Sequence, residues 1–190
     1  MPNAFGAHIT NPETQYPQAW ERAGHVKLLV LDVDGVMTNG QVWFGADGKE
    51  ALKAFDIQDG LGIKLLEQSG IPTAIITGRH SKMVLARCEE LEIKHVHMGV
   101  VNKNAALDQV LKALQLASTD CAVMGDDWPD LAMMKNAGFR VCPAQAHDAV
   151  KEEAHYVTSR NGGNSAVREV CDLILKAQNR YEELLRQARL

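Results

Sequence analysis

The sequence is short of several things, and each shortage closes off a class of protein. Its four cysteines, Cys88, Cys121, Cys142 and Cys171, form no CxxC pair, which argues against a disulfide framework and against a thiolate metal site. They read as reduced thiols used as small apolar filler. Among the seven histidines, His95 and His97 flank Val96 in a strand-like run, and no HxxxH or His/Cys cluster accompanies them, so structural or solvated roles are expected. No apolar run reaches the ~18 residues that a membrane span needs, and the polar opening MPNAFGAHITNPETQYPQAW lacks the basic and apolar regions of a signal peptide. A soluble, cytoplasmic chain is expected. With a net charge of −4 and no dense Lys/Arg block, neither a nucleic acid nor a membrane surface is expected as partner. There is no internal repeat and no low-complexity linker.

What is present is an alternating chain. Its 190 residues, 46% of them hydrophobic, suit one globular domain, and a chain of this size buries roughly 70% of the surface its unfolded form exposes. Residues 1–24 read as an N-terminal arm, loose over 1–16 and helical around 16–23, with the folded domain at 25–190. From there the apolar runs KLLVLDV, PTAIIT, HVHMGV, CAVMGDD and FRVCP read as strands, with YVT as a weaker sixth. Between them GIKLLEQSG, HSKMVLARCEELE, NAALDQVLKALQL and DLAMMKNAG carry helical spacing. Strand then helix, repeated, predicts an α/β fold: a Rossmann-like, doubly wound parallel sheet with helices on both faces.

One stretch breaks the alternation. Residues 41–55, QVWFGADGKEALKAF, read as a protruding β-hairpin that turns at Asp47-Gly48. Trp43, Phe44, Leu52 and Phe55 are much apolar surface for a two-stranded ribbon, which suits packing on another subunit or folding back on its own domain. At the other end, residues 165–188 place Val167, Val170, Leu173, Ile174, Ala177, Tyr181 and Leu184 on one apolar stripe, predicting a closing helix with a tail to 190.

In an open parallel sheet ligands bind beyond the carboxyl ends of the strands, and the chemically capable residues of this chain fall there. In KLLVLDVDGVMTNG, Asp32 and Asp34 follow the first strand, and Gly35 lets the chain turn away. Two carboxylates beside freed backbone amides can hold a divalent cation and a phosphate together. One can attack while the other moves a proton, the cation offsetting repulsion between carboxylate and phosphate dianion. The run DVDG, residues 32–35, also suits a plain turn after a strand.

Three further clusters follow other strands. In IITGRH, Thr77 can donate to a phosphoryl oxygen, Gly78 leaves its amide accessible and Arg79 adds a cation, although a strand, a threonine cap and a helix start read alike. Lys103 opens a helix, where the dipole prefers anions by ~0.3 to 1 kcal/mol; a phosphate partner would explain the misplacement. In AVMGDDWPDLAMM, Asp126 and Asp127 end a strand and Asp130 starts a helix. A capping role suffices for Asp130, whereas two acids at a strand end fit Mg²⁺ ligation, in which carboxylates are completed by waters and substrate oxygens.

Taken in order, DVDGVMT, ITGR, Lys103 and GDDWPD resemble the four motifs of the haloacid dehalogenase superfamily, in its aspartate-nucleophile phosphatase branch. The resemblance implies a phospho-aspartyl intermediate on Asp32, with Asp34 as acid and base and Thr77 and Lys103 holding the phosphoryl group. It implies Mg²⁺ on Asp32, Asp126 and the Asp34 carbonyl, with Asp127 and Asp130 behind them. The hairpin, FDIQDGLGIKLL, TGR, GDDWPD and HYVTSRNGGNSAVREVCDLIL extend the likeness over almost the whole chain from about His25. That pattern is similar to the 3-deoxy-D-manno-octulosonate 8-phosphate phosphatases, a family with no cap domain.

Members of that family are homotetramers whose hairpins pack together at the centre, with a neighbouring subunit covering each active site. The likeness therefore implies a phosphorylated sugar acid as substrate and a place in lipopolysaccharide precursor synthesis. It implies substrate contacts on a loop of Asp56, Ile57, Gln58, Asp59 and Gly60, and on Lys64, Gly78, Arg79 and Arg87. Arg and Lys about a phosphate site suit a ligand that also carries a carboxylate. The chain departs from the pattern at Gln58 and Lys64, where arginines are usual, at Val100 in place of a glutamine, and at Ser165 in place of a glycine. Two alternatives stand beside this reading. One is a phosphatase of nine-carbon sugar acid 9-phosphates, favoured by GVV before the lysine motif where TGR favours eight carbons; the other is a catalytically inactive regulatory subunit of the same fold.

Overall fold

The structure, a computed structural model, describes residues 12–190; of the loose opening expected over residues 1–16, residues 1–11 lie outside them and residues 12–15 are helical instead. A single helical turn, α1 (Pro12–Gln15), leads to α2 (Pro17–Gly24), β1 (Leu28–Leu31) and a ribbon of β2 (Trp43–Phe44) and β3 (Glu50–Leu52). Then follow α3 (Ile57–Gln68), β4 (Thr73–Ile76), α4 (Lys82–Glu90), β5 (His95–His97), α5 (Lys103–Leu114) and β6 (Cys121–Met124). The chain closes with α6 (Trp128–Met134), β7 (Phe139–Cys142), α7 (Asp148–Glu153), β8 (Tyr156–Val157), α8 (Ala166–Ala177) and α9 (Tyr181–Gln187).

The six apolar runs form the six strands, all parallel, in the order β5-β4-β1-β6-β7-β8. The central strands β4, β1 and β6 are buried throughout, and the edge strands β5 and β8 only in part. In β1, Leu29 and Leu31 enter a core shared with α2, α3, α4 and α8, while Leu28 and Val30 enter a second core under α5, α6 and α7. That is the period-2 alternation of a strand buried on both faces. After β1 the chain winds out to β4 and β5, and α5 then carries it back across to β6 on the other side of β1. The winding reverses between β1 and β6, so a crevice opens beyond their carboxyl ends. Asp32 and Asp126 sit at that crevice.

Three boundaries differ from the sequence expectation. The arm ends inside the core, because α2 buries Ala19 and Ala23 against the sheet-covering cluster. The Asp56–Gly60 segment is the start of α3 rather than a loop: Asp56 caps it, accepting from the amides of Gln58 at 2.6 Å and Asp59 at 3.1 Å. The closing helix breaks after Ala177, where Asn179 adopts a left-handed φ of 57°. The apolar stripe survives the break, since Tyr181 and Leu184 of α9 pack on the core already occupied by Val167, Val170 and Ile174. The four cysteines are free and buried, as packing residues.

Candidate active site

Asp32 leaves β1 nine-tenths withdrawn from water and meets Lys103, the first residue of α5, at 2.7 Å. The same ammonium lies 2.6 Å from Asp130 at the start of α6. The sequence puzzle of a lysine at a helix N-terminus is resolved by this geometry: Asn102 caps α5, accepting from the Ala105 amide at 3.0 Å, and Lys103 turns away to two carboxylates. Burial alone would depress Lys103, and the facing Asp32 and Asp130 more than offset it, holding the ammonium above its ordinary value.

One lysine does not neutralise this site. Oxygens of Asp32, Asp126 and Asp130 lie within 4.8 Å of one another. Burial and the charge of Asp130 push the Asp32 carboxyl up to about 6 despite Lys103. Burial, then Asp32, Asp130 and Asp127, push Asp126 up to about 7. Three crowded acids short of positive charge form a donor set that suits a hard divalent cation bound through oxygen. Only glycine fits beside them at position 35: a Cβ there would stand 2.0 Å from Asp126 Oδ2, and its φ is +96°. The turn carrying Asp34 is pinned from elsewhere, by Gln145 donating to the Gly35 carbonyl at 2.6 Å and by the Gly163 amide on the Val36 carbonyl at 3.0 Å.

Asp130 is more than the cap that the sequence suggested. Its Oδ1 holds Lys103 while its Oδ2 accepts from the Asp126 and Asp127 amides at 3.0 and 3.3 Å, orienting the acidic strand end. Asp127, in turn, is the cap of α6, accepting from the Trp128 amide at 2.8 Å. It faces solvent and takes no part in the three-acid group.

Asp34 belongs to a second network. Its Oδ1 is ion-paired with Lys53, and its Oδ2 lies 3.7 Å from Arg79 Nε. Glu50 of β3 joins them, 3.2 Å from Lys53 and 3.1 Å from Arg79, and accepts from Ser81 Oγ at 2.5 Å. Lys53, Glu50 and Ser81 escaped the sequence reading. The available signal was a cation, Lys53, alternating with Leu52 in a ribbon, but alternation alone does not say which face is buried. Thr77 directly follows β4, buried, with its amide donating to the His97 carbonyl at 2.9 Å. Gly78 is not crowded by any neighbour, the nearest atom to a hypothetical Cβ being 3.7 Å away, so its backbone stays approachable.

The other expected substrate residues gather in a third group around the start of α3. Arg87 donates to the Asp56 carbonyl at 3.0 Å and pairs with Glu90 at 2.8 Å, bracing that turn over Gly60. Ser165, in a left-handed conformation with φ 66°, hydrogen-bonds Asp56 and Gln58 at 3.1 Å each. Asp59 accepts from the Arg168 amide at 2.7 Å, while its other oxygen is buried without a partner. Burial pushes its carboxyl up to about 7. Ile57 and Lys64 are exposed on α3. An open cavity of about 620 Å³ beside this group is lined by Gln58, Arg160, Ser165 and Arg168, and not by Asp32 or Asp126.

A strand-end aspartate pair, a buried lysine and a distal acidic cluster on this topology define the class, and residues 95–170 match the family of haloacid dehalogenase-like hydrolases. The 3-deoxy-D-manno-octulosonate 8-phosphate phosphatase KdsC of Salmonella typhimurium is 44% identical, the match covering 88% of each chain. The crystal structure of the Yersinia pestis phosphatase of the same name has a TM-score of 0.85 at 44% identity, covering 87% of this chain and 89% of that one. The Moraxella catarrhalis phosphatase, solved with magnesium, phosphate and KDO, has a TM-score of 0.87 at 43% identity, covering 90% of this chain and 98% of that one. The chain belongs to the 3-deoxy-D-manno-octulosonate 8-phosphate phosphatase family.

Proposed function

We propose that this protein is a Mg²⁺-dependent phosphomonoesterase that hydrolyses 3-deoxy-D-manno-octulosonate 8-phosphate to the sugar acid and phosphate. The observation that carries the reading is the group of Asp32, Asp126 and Asp130 about Lys103, whose three acids outnumber its one cation. The ligands of the Moraxella relative support both the metal and the sugar acid. Asp32, Asp126 and the Asp34 carbonyl would hold Mg²⁺, which would supply positive charge against the phosphate dianion and the attacking carboxylate.

The chain's own residues do the rest. Asp32 attacks phosphorus as the ester P–O bond breaks, and Asp34 gives its proton to the departing sugar oxygen. Water then attacks the phospho-aspartyl group, Asp34 takes the proton released, and the electron pair of the broken bond returns to Asp32. Thr77, Lys103 and the open Gly78 backbone hold the phosphoryl oxygens. Arg79, nearly half exposed although paired with Glu50 at 3.1 Å, is read as the contact for the substrate carboxylate. Ile57, Gln58 and Lys64 are read as the outer substrate surface, with Asp56, Arg87 and the buried Asp59 and Gly60 shaping the turn behind them.

The same reading makes the protein a cytoplasmic homotetramer joined through its hairpins. Support comes from Trp43, Phe44 and Leu52, which are 57%, 65% and 57% exposed on a two-stranded ribbon. No helix among the described residues is long and apolar enough to cross a membrane. A side-by-side hydrolysis assay on eight-carbon 8-phosphate and nine-carbon 9-phosphate sugar acids, with Mg²⁺ and with chelator, tests the assignment. Preference for the eight-carbon ester, lost with chelator, is expected. Preference for the nine-carbon ester would overturn the substrate, and full activity in chelator would overturn the metal.

A further inference from the structure

The molecule buries a second lysine that the reaction as written above does not use. Lys53, just after β3, has a side chain only 1% exposed, and its ammonium sits between Asp34 Oδ1 and Glu50. Withdrawing a lysine from water is unfavourable unless good partners surround it. The ribbon that carries it makes the choice stranger: Trp43, Phe44 and Leu52 point outward while the cation points in. For the stability of an isolated ribbon the reverse orientation would serve better, because apolar burial is the main source of stability. The cation therefore answers to something at its inner end, and what stands there is the Asp34 carboxylate.

We propose that Lys53 is a positioning residue for Asp34, delivered by the hairpin, which occupies Oδ1 and so leaves Oδ2 as the oxygen that carries the proton. The inference rests on the phosphatase reading given above. Arg79 Nε, at 3.7 Å from Oδ2, is beyond hydrogen-bond reach and leaves that oxygen available. Glu50 fixes the lysine from its far side. Burial works against the Glu50 charge, yet Ser81, Lys53 and Arg79 together hold its carboxyl below the usual range. Lys53 is thus clamped between two carboxylates, and Asp34 keeps one rotamer through both half-reactions. In the first, the Oδ2–H bond breaks as the sugar O–H forms and the P–O electron pair moves to the sugar oxygen. In the second, Oδ2 takes a proton from the attacking water as the Asp32–phosphorus bond breaks.

Leaving-group chemistry separates this role from a purely structural one. An alkyl alcohol needs a proton to depart, whereas p-nitrophenolate does not, and kcat/KM reports only the steps through phosphoryl transfer to Asp32. Wild type, Lys53→Met, Lys53→Arg and Glu50→Gln are compared on the sugar 8-phosphate and on p-nitrophenyl phosphate, each with saturating Mg²⁺. Lys53→Met is expected to lower kcat/KM by about 10²-fold on the sugar ester and by less than about 5-fold on the aryl ester, the former being the low end of a general-acid contribution. Lys53→Arg recovers most of the loss, and Glu50→Gln loses less but with the same bias. Should Lys53→Met fail to fold, Glu50→Gln decides by the same ratio. Equal losses on the two esters, or an arginine variant no better than methionine, would overturn the inference while leaving the phosphatase reading intact. Wild type inert on both esters would overturn that reading, and the inference with it.

Discussion

Two lysines in this molecule are buried between pairs of carboxylates, and they arrive by opposite routes. Lys103 is 6% exposed between Asp32 and Asp130, and all three stand at the ends of strands or starts of helices in the main sheet. Lys53 is 1% exposed between Asp34 and Glu50, and it comes from a ribbon outside that sheet, with an irregular register at Trp43 and Phe44. The first arrangement follows from the frame: parallel strands hydrogen-bonded at fixed spacing put their carboxyl ends side by side. The second follows from how a ribbon of three exposed apolar residues is held down. A site can thus have one half fixed by the sheet and the other half dependent on its surroundings.

The hardest blow to the sheet-borne half is Asp32→Asn. Turnover is expected to fall on the scale of about 10⁶-fold, as when a covalent nucleophile is removed, measured as phosphate release in Mg²⁺. The melting temperature of the metal-free protein should hold or rise, because one of three crowded carboxylates has lost its charge. Normal phosphate release from this variant would end Asp32's claim as nucleophile.

Lys103→Met comes next and is read on stability. It strands Asp32 and Asp130 in the interior without their cation, a loss of about 3–5 kcal/mol for a broken buried pair. Thermal melts should show it clearly in chelator and less in Mg²⁺. A melting temperature unchanged in chelator would mean that the two acids take up protons at no cost.

The ribbon-borne half is probed by Trp43→Asp with Leu52→Ser, both at exposed positions. Sedimentation should show the proposed tetramer falling to smaller species with the circular dichroism of the fold retained. Activity on the sugar ester should drop by up to about 10²-fold through misplacement of Lys53 and Asp34. A tetramer that survives the double substitution would remove the hairpin from the assembly.

The smallest effect sharpens the contrast with an acid that has no lysine at all. Asp59 is buried with one oxygen unpartnered, and its carboxyl is raised from 3.8 to about 7. The folded state therefore binds its proton before the unfolded state does. That stabilisation is full below about pH 4 and disappears as pH rises through about 7. Asp59→Asn should gain stability over wild type at pH 8 and little at pH 5, a difference of a few degrees, since about 1 kcal/mol moves a chain of this size by about 2–4 °C. An offset equal at both pH values would show that Asp59 is ionised throughout.

The strands and the residues just after them were legible because their signal is local. Val30 and Leu31 are fully buried in β1, where the sequence placed a buried strand, and Val33 is buried in the turn just past its end. The start of α3 was legible too, through Asp56 as a cap with Asp59 in the first turn, but the likeness to a substrate loop overrode that signal. The break at Asn179 left the apolar period undisturbed and so left no trace in it. Lys53 stayed hidden for a different reason. A residue alternating along a ribbon has two faces available, and with Leu52 beside it the pattern points to the wrong one.

By itself the sequence determined the six-stranded frame and the loading of its carboxyl edge with Asp32, Asp34, Thr77, Lys103 and Asp126, because strand periodicity and helix caps are written within a few neighbouring residues. Only the tertiary structure decided which acid answers which cation. Lys103 meets Asp32 across 71 residues and Asp130 across 27, and Asp34 meets Lys53 across 19. Ion pairs of that kind are chosen by where the packed elements bring charges out of water together, and no local pattern encodes that meeting.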